Sequence, residues 1–217
     1  MALKGYIDGT RGVMLVRTAS LGRLLDREDL TSEDILEMFW KPDGNVYSLL
    51  PRDDFMEATW EQLPGLRYAV VSYQWTQPWH SMVRFILTSK NRVKVDWMWV
   101  DCKCLDQMAD NKMATISRSD EIYLHAKEYH LIEIGSLTRG WVLFELSSAA
   151  LPPIVHISTQ DPALKRMIKD RLSSTGFAGS EFKVESDRIV VRKKIEERYG
   201  NVANFDQEII KIVNRIL

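Results

Sequence analysis

The chain has 217 residues, 45% of them hydrophobic and 27% charged, with 29 basic against 30 acidic side chains and a formal net charge of -1. That balance fills one sizeable core and leaves no overall basic field to attract nucleic acid or acidic lipid. No apolar run approaches the roughly 20 residues of a membrane-spanning helix, and Lys4, Asp8 and Arg11 stand where a secretory signal would be apolar, so a cytoplasmic location is expected.

In chain order, Val13 to Val16 reads as a short strand, and Ser32 as the N-cap of a helix whose apolar stripe is Ile35, Leu36 and Phe39. Pro42-Asp43-Gly44 gives a turn. The middle of the chain is more regular. Tyr68 to Trp75 (YAVVSYQW) has the apolar, β-branched composition of a buried strand, Pro78 to Ser89 reads as a helix, and Val93 to Cys102 (VKVDWMWVDC) reads as a second strand. Cys102 and Cys104 are the only cysteines. Placed on that strand they point to opposite faces, which disfavours a mutual disulfide and fits a reducing compartment.

A short helix over Ser119 to Lys127 precedes a strand at Tyr129 to Ile134. Thr138 to Leu151 is a helix stopped by Pro152-Pro153, and Ile154 to Ile157 is a further strand. Strands alternating with helices of about ten residues predict right-handed crossovers and a mainly parallel sheet. Helices are then expected over Pro162 to Ser173, Asp187 to Tyr199 and Phe205 to Leu217. The last of these carries the stripe Phe205, Ile209, Ile212, Val213 and Ile216, to be covered by the same domain. The predicted organisation is one domain, with residues 1–66 as an N-terminal elaboration, 67–160 as an α/β core and 161–217 as C-terminal helices packed on it.

Polar residues gather where strands end. Ser72 and Trp75 close the first core strand, and Asp101, Asp106 and Gln107 follow the second. Arg139 and Trp141 open the helix that carries Glu145. In open α/β sheets this carboxyl edge is where ligands bind. Each residue also has a plainer reading. Asp101, Asp106 and Gln107 suit loop capping, Trp75 suits the core, and Glu145 suits a solvated helix face paired with Arg139. Cys102, Cys104, His125 and His130 match no common zinc spacing, so no metal is expected. The sequence contains no G-x-S-x-G, G-x-G-x-x-G, H-E-x-x-H or Walker motif, which argues against the corresponding hydrolase, dinucleotide, zincin and nucleotide-hydrolysing classes.

Four segments, in order between Arg67 and Ala150, carry a family resemblance. YAVVSYQW, WMWVDCKCLDQ (Trp97 to Gln107) and SDEIYLHA (Ser119 to Ala126) resemble the opening strand, aspartate-glutamine block and helix of heterokaryon-incompatibility (HET) domains. RGWVLFEL (Arg139 to Leu146) resembles the glutamate-bearing helix of TIR domains, as YAVVSYQW does their first strand. Thr76 replaces the glycine that usually follows the HET tryptophan, and the Glu145 form of the helix is TIR-like, so the chain stands between the two families.

The resemblance implies a flavodoxin-like or TIR-like sheet and a cell-death or defence role. It places Glu145 where NAD-cleaving TIR domains hold their catalytic glutamate. Ser72, Trp75, Asp101, Arg139 and Trp141 would then line the pocket, with Trp75 stacking on a ring of NAD and Arg139 on phosphate. NAD would be substrate rather than a tightly bound cofactor, and the protein would self-associate as a homo-oligomer. A non-catalytic signalling module that self-associates through its helices is the other reading.

Overall fold

The computed structural model describes residues 10–25, 50, 52–73, 79–87, 94–104, 113–149, 154–157 and 161–217. The helix expected from Ser32, the turn at Pro42-Asp43-Gly44, and the side chains of Trp75, Asp106 and Gln107 lie outside them.

The fold is α/β. Among the described residues six strands form one sheet: β1 (Gly12–Arg17), β2 (Phe55–Thr59), β3 (Tyr68–Ser72), β4 (Trp97–Trp99), β5 (Glu128–Leu131) and β6 (Ile154–Ile157), in the spatial order β2-β1-β4-β3-β5-β6. The four strands from β3 to β6 run parallel, with Tyr68 beside Trp97, Val70 beside both Trp99 and Tyr129, and Ser72 beside Leu131.

The expectation of a mainly parallel sheet needs correction at the N-terminal edge. There β1 pairs antiparallel with both β2 and β4, so the sheet is mixed. The segment before Leu66 is joined to the core by this ladder. Gly12 permits it, because a Cβ there would lie 2.0 Å from the carbonyl oxygen of Ala58. The ladder between β1 and β4 is short. After Arg17, Thr18 leaves it, and its N–H and hydroxyl donate to the carbonyls of Asp96 and Val95. β4 therefore covers only Trp97 to Trp99 of the predicted Val93–Cys102 strand, and Asp101 to Cys104 turn into a helix. The cysteines are accordingly not strand residues, and Cys104 is buried with its sulfur against the backbone of β4.

Among the described residues the helices are α1 (Trp79–Leu87), α2 (Asp101–Cys104), α3 (Met113–Ser117), α4 (Ser119–His125), α5 (Gly140–Ser148), α6 (Pro162–Thr175), α7 (Glu185–Tyr199) and α8 (Val202–Ile216). α4 docks on the sheet through Tyr68, whose hydroxyl donates to the Ile122 carbonyl at 2.5 Å. α5 packs beside α4 and also against α7 and α8. In α8, Phe205, Ile209, Ile212 and Val213 are buried, and Phe205 meets Phe177 and Tyr199 edge to face. Burying these four side chains contributes on the order of 6–12 kcal/mol before ordering entropy is subtracted. Polar ties complete the docking. Lys194 Nζ donates to Asp120 Oδ1 and the Ser117 carbonyl, and Tyr199 Oη donates to the Ser147 carbonyl. None of the described helices is long and apolar enough to cross a membrane.

Candidate functional site

β3 lies between β4, the next parallel strand in sequence, and β5, the one after, so the strand order reverses direction at the junction of β3 and β5. Crevices at such switch points, past the carboxyl ends of the strands, are where open α/β sheets take ligands. Ser72 is the last residue of β3 at that junction, and its carbonyl accepts from the Ile132 N–H.

The start of α5 brings Glu145 to Ser72. A 3-10 turn over Ile134–Thr138 redirects the chain after β5, and Arg139 stands at the N-cap without a side-chain cap of its own. A helix start leaves backbone donors without intrahelical partners. Here the Gly140 N–H donates to the Glu181 carbonyl at 3.1 Å, and the Glu181 N–H donates to the Thr138 carbonyl at 2.8 Å. Phe182 then lies against Gly140, where a Cβ would stand 1.9 Å from the ring. The glycine of the Arg-Gly-Trp motif thus lets the segment leading to the C-terminal helices clamp the first turn of α5. One turn later Glu145 meets the sheet.

Ser72 Oγ donates to Glu145 Oε2 at 2.5 Å and Tyr129 Oη donates to Ser72 Oγ at 2.8 Å, while the Tyr123 hydroxyl from α4 lies close enough to Glu145 to favour its ionised form. Tyr123 stands at ring-centroid distances of 6.0 Å from Tyr129 and 5.7 Å from Trp99. Around this core, Tyr73 joins two further polar groups. Its hydroxyl donates to Asp101 Oδ1 at 3.2 Å, and its carbonyl accepts from Arg139 Nη1 at 3.3 Å.

Burial pushes the Glu145 carboxyl up to about 7, with the Asp101 charge adding to the rise, while the Ser72 and Tyr123 hydroxyls and the Arg139 charge act the other way. Glu145 as a residue nevertheless keeps partial exposure. Burial, and then the Glu145 charge, hold the Tyr123 and Tyr129 phenols well above their ordinary range, so both remain protonated donors. Among the described residues Glu145 makes no ion pair. A desolvated carboxylate held by neutral donors is suited to meeting a cation, because the cation supplies the charge that the protein withholds.

Of the residues singled out from the sequence, Ser72, Asp101, Arg139 and Glu145 gather at this edge. Trp141 makes its hydrogen bond elsewhere. Its indole N–H donates to Asp187 Oδ2 of α7 at 3.2 Å, which ties α5 to the C-terminal helices. Three residues with no assigned role in the sequence reading complete the cluster: Tyr73, Tyr123 and Tyr129. The available signal was the phenol itself, since a tyrosine in an apolar run must find a partner for its hydroxyl when buried. Compared with known proteins, the chain matches no family model, no curated protein and no solved structure.

Proposed function

We propose that this chain is a TIR-like or HET-like cell-death or defence domain of flavodoxin-like architecture, and that it cleaves the nicotinamide–ribose bond of NAD with Glu145 as the catalytic carboxylate. The observation that carries the reading is the partly exposed, desolvated Glu145 at the strand switch point, held by neutral hydroxyls and lacking an ion-pair partner among the described residues. The order of the four sequence motifs between Arg67 and Ala150 supports it independently.

The chemistry asks for little more. In NAD the nicotinamide nitrogen is already cationic, so the C1′–N bond can break with its electron pair going to the ring, and no general acid is required. The ribosyl oxocarbenium ion left behind is stabilised by a nearby anion. Water then adds to C1′ and releases a proton, giving ADP-ribose and neutral nicotinamide. The Glu145 anion is costly before substrate arrives and is compensated as positive charge builds on the ribose. That is the differential stabilisation that lowers a barrier. In this reading Asp101 holds ribose hydroxyls and Arg139 meets phosphate.

Purified protein incubated with NAD should release nicotinamide in a time-dependent manner, faster at high protein concentration or with a crowding agent if the active form is a homo-oligomer. Wild-type protein that releases none under either condition would remove the enzymatic reading and leave a self-associating signalling module.

A further inference from the structure

The hydrogen bonds behind Glu145 run in a single direction. A serine hydroxyl has one proton to give. Tyr129 Oη donates to Ser72 Oγ, so that oxygen is the acceptor on one side, and its own proton goes to Glu145 Oε2 on the other. Both relay residues are buried, Tyr129 at 0% and Ser72 at 3% exposure, so bulk water does not compete for either bond. Chains of this kind polarise one another, the first donor strengthening the second. The groups that face Glu145 are Ser72 from β3, Tyr123 from α4, Asp101 from α2 and Arg139 at the start of α5. Tyr129 from β5 stands behind Ser72.

We infer that Tyr129 is a positioning residue: acting through Ser72, its hydroxyl fixes Glu145 Oε2 in place and sets the charge state of the carboxylate that faces the ligand. The catalytic meaning rests on the NAD-cleaving reading above, but the relay is a property of the folded chain and is testable without turnover.

The experiment is a carboxyl titration by NMR on the full chain labelled with 13C at glutamate side chains, the Glu145 signal being the one lost in Glu145→Gln. Tyr129→Phe keeps the ring and removes only the hydroxyl. It should raise the Glu145 midpoint by roughly 0.3 pH unit or more, as loss of a cooperative donor would. Ser72→Ala, which removes the direct donor, should raise it by roughly one pH unit. In the Ser72→Ala background Tyr129→Phe should add nothing, because the relay is already cut. An unchanged midpoint in Tyr129→Phe overturns the inference, and so does an equal shift in both backgrounds, which would mean that the tyrosine acts directly. Should Ser72→Ala not fold, Tyr123→Phe serves as the reference. It removes a separate donor, so the Tyr129→Phe shift must appear undiminished on top of it, and its disappearance there overturns the relay. Wild-type protein without NAD cleavage would sink the proposed function while leaving this titration to decide the relay.

Discussion

Two glutamates, Glu128 and Glu145, meet the same sheet from opposite faces and are treated in opposite ways. Side chains alternate along β5, so Tyr129, which reaches Ser72 and thereby Glu145, points to one face while Glu128 and His130 point to the other. Glu128 is buried and matched. His130 Nε2 lies 3.1 Å from its Oε2, and the Lys94 backbone N–H donates to both carboxylate oxygens at 3.1 and 3.2 Å. Among the described residues Glu145 is held by hydroxyls, with the Arg139 charge acting on it as well, and is pushed up to about 7 by burial. The first arrangement satisfies a buried carboxyl with nearby donors. The second leaves a carboxyl poorly compensated at the carboxyl edge of the sheet, and such local departures from good design concentrate at functional sites.

The largest expected effect comes from breaking the matched site. Glu128→Ala would leave buried His130 and the Lys94 N–H facing a void. By the usual cost of about 1–3 kcal/mol for each buried polar group that loses its hydrogen-bond partner, it should destabilise the fold, read as a lower urea midpoint.

The same test at the other face should change sign. The Glu145 carboxyl titrates near 7 when folded and near the model-peptide value of about 4.3 when unfolded, so the folded state binds the proton more tightly. Wild-type stability is therefore greatest below the unfolded value and falls as pH rises through the folded one. Glu145→Gln removes that loss. It should match wild type near about pH 4 and exceed it above about pH 8 by up to about 3 kcal/mol, as melting curves at both pH values would show. A variant no more stable than wild type at high pH would mean that Glu145 is better compensated than its neighbours suggest.

Smaller changes sharpen what positions the site. Gly140→Ala drives a methyl into the Phe182 ring. It should cost about 1–3 kcal/mol and loosen the first turn of α5, so nicotinamide release should fall although no group near Glu145 has changed. Trp141→Phe only frees Asp187 of α7. It should cost about 1 kcal/mol and leave nicotinamide release within about twofold of wild type, which separates Trp141 from the ligand site.

Where sequence reading succeeds and fails has a physical pattern. Tyr68 to Ser72 is legible because a strand buried along its whole length reads as an apolar run. Phe55 to Thr59 escapes notice because an edge strand needs only part of that pattern, and Glu57 interrupts it. Ser72 and Asp101 are legible as polar residues at strand ends, and Glu145 through the resemblance of its helix to that of TIR domains. Tyr123 and Tyr129 read as core, since the partners of their hydroxyls are set by tertiary packing. Trp141 lies one helical turn before Glu145, and nothing near it in the sequence points to Asp187 of α7, its partner from 46 residues further along the chain.

The central claim is that Glu145 is a chargeable carboxylate waiting for the cation formed when NAD is cleaved. Its most direct test is nicotinamide release from NAD by wild type and Glu145→Gln between about pH 5 and about pH 9, at high protein concentration. Wild-type activity should rise through about pH 7 as the carboxylate ionises, and Glu145→Gln should lose about 100-fold or more, roughly 3 kcal/mol of barrier, at the upper end of the range. Equal release by the two proteins, or none by wild type at any pH, would contradict it.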